Sequence, residues 1–185
     1  MIPIEYFWFA LFLMFCIIGT ARGLGKELGS SAILLLSLFI LKFGWQQLGE
    51  KMKPVLEKIP ISSTSAHTTE AIYYIIVILF VTFISYEGVV LNFPVKQQKG
   101  VAKGLFGFFG GLFNAYLVIG TIWDVVNKAD YFGLKVQSCC DTVVTIKSCL
   151  TGLHNQMVQF LPVTLIPAMI FLLLGMILLL AIILK

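Results

Sequence analysis

No charged side chain occurs between Asn155 and Leu184, and most residues in this stretch are apolar. An uncharged apolar run of roughly 18 residues or more is the pattern of a helix that crosses a lipid bilayer. Within it, Leu165–Leu184 is long enough for one complete span. Pro162 and Pro167 predict an irregular start, because proline cannot continue the hydrogen bonding of a helix. This run alone indicates a membrane protein.

Four further apolar runs precede it: Tyr6–Ala21, Leu28–Trp45, Ala71–Phe93 and Gly104–Trp123. The first run follows Glu5, with no lysine or arginine ahead of it. This differs from the basic start of a cleaved signal peptide and predicts a retained signal anchor. Only 12% of the residues are charged, whereas 59% are hydrophobic. We therefore predict an all-α transmembrane bundle of about five spans, since a soluble domain carries about twice that charged share.

The polar segments divide the chain into three parts. Residues 46–70 have a helix-like apolar face, which predicts a short amphipathic helix on the membrane, followed by a loop at Ser62–Thr69. A second polar stretch covers residues 126–159. We therefore expect a transmembrane core at residues 1–125, a polar loop at 126–159 and a C-terminal transmembrane helix at 160–185.

The basic residues indicate orientation rather than a nucleic-acid partner. The net charge is +4, but the lysines are dispersed among the loops and form no basic run with interleaved aromatic residues. One set lies in two very short loops, containing Arg22 and Lys26 in the first and residues 96–103 in the second. Because the positive-inside bias acts most strongly on short loops, we predict the N-terminus outside and the C-terminus inside.

The cysteines of the polar loop favour a disulfide over a metal site. Cys149 would pair with Cys139 or Cys140 if the loop faces an oxidising compartment. Cys16 lies in the middle of the first span and is expected to be a packing residue. The sequence has no CxxC or HxxxH spacing, and both His67 and His154 fall in predicted loops, so we expect no metal.

Familiar catalytic motifs are missing from the sequence. There is no GxSxG, SxxK or HExxH motif and no phosphate-binding loop. We expect neither an enzyme nor a bound cofactor.

Two polar residues inside the spans are candidates for a functional site. Glu87 lies about three quarters of the way along the third run, and Asn114 lies in the fourth. An ionisable group at membrane depth suggests a site by default. Glu87 would line an ion path together with Asn114, lie near the headgroups, or pair with a lysine such as Lys103. The sequence leaves these readings open.

Small residues recur every four positions in the fourth run, at Gly107, Gly111 and Ala115. Such a row makes a smooth groove that a second helix can approach closely. The second helix would come from this chain, from another copy or from a partner protein.

The opening of the chain resembles the CvpA family, the colicin V production proteins of bacterial inner membranes. Members have an acidic residue before the first span, the pattern R-G-[FL]-x-x-E at the start of the second, and a glycine row in a late span. The matching residues here are Glu5, Arg22, Gly23, Leu24, Glu27, Gly107, Gly111 and Ala115. Lys103 and Gly104 stand where the family usually has an Asp-Arg pair. The resemblance covers residues 1–125, so the cysteine-bearing loop and the last span extend beyond it.

The resemblance implies a multi-pass protein of the bacterial inner membrane, a scaffold or accessory factor for toxin or peptide export or for envelope homeostasis. Its expected partners are membrane lipids and either a second copy of the chain or a larger membrane complex. Two alternatives remain open: a small accessory subunit of a respiratory or photosynthetic complex, and an oligomeric channel or transporter using Glu87.

Arg22 and Glu27 are expected to be structural. Arg22 would bind lipid phosphate or helix-end carbonyls at the membrane border, and Glu27 would favour the positive end of the second helix at an exposed site.

Overall fold

The computed structural model describes residues 4–56, 66–87, 101–133, 135–137, 143–145 and 152–184. These ranges contain seven α-helices: α1 Ile4–Arg22, α2 Leu24–Leu56, α3 Ala66–Glu87, α4 Val101–Lys128, α5 Gly152–Gln159, α6 Pro162–Leu165 and α7 Ala168–Ile183. The prediction of an all-α bundle is confirmed.

Four of the described helices are long and apolar enough to cross a membrane, through the windows Glu5–Arg22, Leu24–Gly44, Glu70–Glu87 and Val101–Lys128. A shorter apolar stretch lies in α7. With 16 residues, α7 measures about 24 Å, somewhat less than the hydrocarbon thickness of a bilayer. Together these helices form a bundle of about five spans, and the chain is a multi-helix membrane protein.

The second and fourth helices form the centre of the bundle. α2 packs against α3, α4 and α7, and α4 also packs against α1 and α3. Fully buried apolar side chains fill the space between these helices, among them Leu34, Leu38, Leu117, Val118 and Phe171. The outward faces are apolar as well, as lipid contact requires.

The helix boundaries differ from the sequence prediction at two places. α2 continues without a break to Leu56, so the separate amphipathic helix predicted after Trp45 is wrong as far as the described residues reach. The stretch from 46 to 53 has one glycine and no proline, so nothing there ends the helix. α3 begins at Ala66, which places His67 in its first turn instead of in a loop.

Local structure fills part of the predicted polar loop. After α4 the chain forms a left-handed turn, Asp130–Gly133, then strand β1 (Lys135–Gln137), which pairs antiparallel with β2 (Val143–Thr145). The small hairpin was not predicted. Cys139, Cys140 and Cys149, and with them the expected disulfide, lie outside the described residues.

The left-handed turn places the Tyr131 side chain in the interior of the bundle. Asp130, Tyr131 and Phe132 have φ values of 50°, 54° and 57°. This conformation costs an L-residue about 1–2 kcal/mol, because Cβ crowds the following carbonyl. In return the turn carries the Tyr131 side chain into the bundle, where it is 2% exposed.

Candidate functional sites in the bundle interior

A single glycine separates the first two helices. Gly23 has φ 82°, its N–H donates to the Gly19 carbonyl at 2.9 Å, and its own carbonyl accepts from the Glu27 N–H at 3.2 Å. A side chain is rarely tolerated at this φ. The aliphatic part of Lys103 also lies 3.3 Å from the place where a Cβ would be. The turn therefore requires glycine and fixes α2 directly against the end of α1.

Arg22 joins this turn to the end of α3. Its Nη1 lies 3.1 Å from Oε1 of Glu27, and its Nη2 donates to the carbonyls of Ser85 at 3.4 Å and Tyr86 at 3.5 Å. The guanidinium also stands 4.1 Å from the centre of the Tyr86 ring. Arginine at a helix C-terminus satisfies carbonyls that have no helical donor. Arg22 therefore binds one carboxylate and one helix end at once.

Glu27 is the centre of the surrounding polar cluster, which consists of Arg22, Glu27, Ser30, Ser31, Tyr86 and Asn114. Its Oε2 accepts hydrogen bonds from Nδ2 of Asn114 at 2.7 Å and from the Tyr86 hydroxyl at 2.9 Å. The Glu27 side chain has no exposed surface. A buried carboxylate is tolerated when a cation and hydrogen-bond donors compensate it, as they do here.

Ser30 and Ser31 complete the polar cluster on α2. The Ser30 hydroxyl donates to the Ser85 carbonyl at 3.1 Å, and the Ser31 hydroxyl lies 2.7 Å from Oδ1 of Asn114. The cluster thereby takes side chains from α1, α2, α3 and α4 and ties the four helices together at one end of the bundle.

This arrangement corrects two expectations. Glu27 was expected at an exposed helix start, yet it is buried, because α3 and α4 close over the turn. The ion-path reading placed Asn114 with Glu87, yet Asn114 binds Glu27, and Glu87 lies exposed at the C-terminal end of α3. The spacing along α4 could have predicted the burial of Asn114. It is three residues from Gly111 and therefore lies on the same tightly packed face of the helix.

The glycine row of α4 packs against α1 of the same chain. A Cβ on Gly111 would lie 2.5 Å from the Phe15 carbonyl oxygen and 3.0 Å from Cα of Gly19. Gly107 approaches the Gly19 backbone as closely, and Ala115 is fully buried. The groove is therefore occupied from within the chain.

A second cluster, here called the aromatic cluster, lies at the opposite end of the bundle and comprises Trp8, Trp123, Tyr131 and His154. The two indoles stack with centroids 5.4 Å apart. The Trp123 N–H donates to the Tyr131 hydroxyl at 3.2 Å, and that hydroxyl lies 3.4 Å from Nε2 of His154. Nε2 of His154 also lies 3.1 Å from Oδ1 of Asn127.

The aromatic cluster was missed by the sequence analysis, which placed His154 in a loop. The residue lies on α5 and is 1% exposed. Its burial lowers the pKa of His154, and the negative charge of nearby Glu5 partly opposes this. Burial likewise raises the pKa of Tyr131. Within the described ranges, no group of three His, Cys, Asp or Glu side chains could hold a metal ion.

Acidification is expected to destabilise the packing of α5 through His154. Because its folded-state pKa is lowered, the neutral ring contributes stability fully above the unfolded pKa of about 6.5, and this is lost as the pH falls through the folded value. The thermal unfolding midpoint should therefore fall between pH 7.5 and pH 5.5 more for the wild type than for His154→Gln. Both proteins keep His67, so equal pH dependence would contradict the prediction.

Comparison with protein-family models, curated proteins and solved structures finds no match for this chain. Its function is therefore argued from its own residues.

Proposed function

We propose that this chain is a scaffold or accessory protein of the bacterial inner membrane, similar to the CvpA proteins, that serves toxin or peptide export or envelope homeostasis. The polar cluster carries the proposal. Arg22, Gly23 and Glu27 bear the resemblance and lie where four helices meet. The polar groups of Arg22 and Glu27 are bonded to other residues of this chain. Residues used in this way maintain the shape of a bundle, which is what a scaffold requires.

A second candidate, an accessory subunit of a larger membrane complex, is supported by the outward face of α4. Phe109 is 61% exposed and Phe106 is 45% exposed, on the helix whose glycines face α1. Rigid aromatic side chains at such a position suit lateral docking as well as lipid contact.

The channel alternative receives less support. It was built on Glu87, which lies exposed at the end of α3, whereas Asn114 binds Glu27. The buried Glu27 is bonded to Arg22, Tyr86 and Asn114, so its charge and hydrogen bonds are used within the bundle.

Deletion and complementation in a bacterial host that carries the gene test the proposal. Deletion is expected to reduce secretion of a peptide toxin or to raise an envelope-stress reporter, and Glu87→Gln is expected to restore the wild-type level. A deletion without effect on either readout would contradict the scaffold proposal. Failure of Glu87→Gln to complement, with normal protein abundance, would favour the channel.

Native mass measurement of the tagged chain in gentle detergent distinguishes an accessory subunit of a larger complex from a scaffold protein. A fixed stoichiometry with other subunits that is lost in Phe106→Ser/Phe109→Ser, at unchanged thermal stability, would indicate an accessory subunit. The matched control is Phe83→Ser, which removes an equally exposed phenylalanine from α3.

A further inference from the structure

The last span is interrupted at Pro167, and the interruption leaves two backbone carbonyls without their helical donors. In an α-helix the Val163 carbonyl would accept from the N–H of residue 167, but proline has none. The Ile166 carbonyl would accept from Ile170, whose N–H instead donates to the Pro167 carbonyl at 3.0 Å. The Val163 carbonyl lies in α6 and the Ile166 carbonyl directly after it, at the junction with α7. In a bilayer, an unsatisfied carbonyl is costly.

The ammonium group of Lys42, on α2, fills this gap. Its Nζ lies 2.7 Å from the Val163 carbonyl oxygen and 2.7 Å from that of Ile166. These two carbonyls are called the carbonyl cradle below. The Phe171 ring lies 5.9 Å from Nζ and adds the attraction of an aromatic face. Lys42, which is partly buried, therefore binds the α6–α7 junction through two backbone carbonyls.

A buried carboxylate stands beside the carbonyl cradle. Asp124 on α4 is 1% exposed; its Oδ1 accepts from the Thr164 hydroxyl at 2.9 Å, and its Oδ2 lies 2.6 Å from Nζ of Lys128. Lys128 repels the charge of Lys42 more strongly than Asp124 attracts it. Lys128 therefore neutralises Asp124, and the ligands that the site offers to a cation are the two carbonyl oxygens.

The carbonyl cradle is held rigidly against α4. Gly120 meets the Pro162 ring so closely that a Cβ there would lie 2.6 Å from Cδ of Pro162. The Thr164 bond to Asp124 fixes the next turn of α6. A pair of carbonyls that cannot move apart is a pre-formed site for a positive charge.

We propose that the α6–α7 junction is a monovalent-cation site whose resident cation is the chain's own Lys42 ammonium. Carbonyl oxygens at an interrupted membrane helix are ligands suited to Na⁺ or K⁺. A free ion in place of the ammonium keeps the local charge unchanged. It would also release α2 from the junction, because Lys42 is the tether between them.

Replacement of Lys42 by methionine tests this site. Thermal unfolding of the purified full chain is measured in NaCl, KCl and N-methylglucamine chloride at equal ionic strength. The wild type is expected to unfold at the same temperature in all three salts. Lys42→Met should unfold earlier in N-methylglucamine and recover by about 2–4 °C in Na⁺ or K⁺ at about five times the Kd. Lys42→Arg, which keeps a tethered cation, should not respond.

Three outcomes would overturn the proposal. One is a Lys42→Met protein with equal midpoints in all salts, and another is a wild type that responds as strongly. The third is a Na⁺ response that persists in Lys42→Met/Pro167→Ala, because alanine restores the N–H for Val163 and removes half of the carbonyl cradle. If Lys42→Met does not fold, Lys42→Gln, a neutral side chain with one donor group, is measured by the same criteria.

Discussion

Replacing Gly111 with leucine is expected to lower the free energy of unfolding by about 3 kcal/mol. The first added carbon would lie 2.5 Å from the Phe15 carbonyl oxygen and 3.0 Å from Cα of Gly19. Both are backbone atoms of α1, so no rotamer change relieves the overlap. α1 must move away from α4, and the close contact along the whole glycine groove is lost.

Gly104 supplies the matched control, because it lies on the same helix and a Cβ there meets no atom within 4 Å. Gly104→Leu adds the same apolar volume and the same gain in helix propensity, so its stability should be unchanged or slightly raised. Chemical unfolding of the purified variants in detergent compares the two. Equal losses at both positions would show that the tight α1–α4 contact is not what stabilises the bundle.

Only one side of the contact between α1 and α4 could be predicted from the sequence. The row Gly107, Gly111, Ala115 is visible as a four-residue period, so a tightly packed helix face could be predicted. Its partner could not, because α1 offers a single glycine, Gly19, which forms no repeat. A close contact needs only one small residue on the second helix if the first supplies a row.

The polar cluster could be predicted only in part, because its residues are distant from one another in the sequence. The residues Arg22, Gly23 and Glu27 are neighbours in the chain and stood out as a motif. The hydrogen-bond donors that bury Glu27 come from Tyr86 and Asn114, which are 59 and 87 residues further along. Nothing in either local sequence specifies the pairing, so the sequence predicted an exposed Glu27 and made Glu87 the main candidate for a carboxylate at membrane depth.

The contacts of Lys42 and His154 could not be predicted, because both depend on tertiary packing. Pro167 visibly removes a backbone donor, and from this an irregular helix start could be predicted. The replacement donor lies on α2, more than a hundred positions earlier, and only the packing of α2 against α7 brings it near. His154 likewise depends on the left-handed turn that carries Tyr131 beneath Trp123.

Arg22→Met is expected to destabilise the bundle by about 3–5 kcal/mol, because it leaves the Glu27 carboxylate as an uncompensated buried charge. It also removes the donor for the carbonyls of Ser85 and Tyr86 at the end of α3. Lys26→Met is the control, since Lys26 lies in the same turn with an exposed side chain and loses the same unit of charge. Its effect should stay within about 0.5 kcal/mol, as for most surface changes.

The double variant Arg22→Met/Glu27→Gln separates the charge from the hydrogen bonds. Glutamine keeps an oxygen for the Asn114 and Tyr86 donors but carries no charge, so the electrostatic penalty of the single variant disappears. The double variant should therefore be more stable than Arg22→Met, although α3 still lacks its carbonyl donor. A coupling energy of about 0.5–3 kcal/mol between the two positions is expected from unfolding measurements on all four proteins. Strictly additive losses would mean that the 3.1 Å contact between Arg22 and Glu27 contributes nothing to the joint.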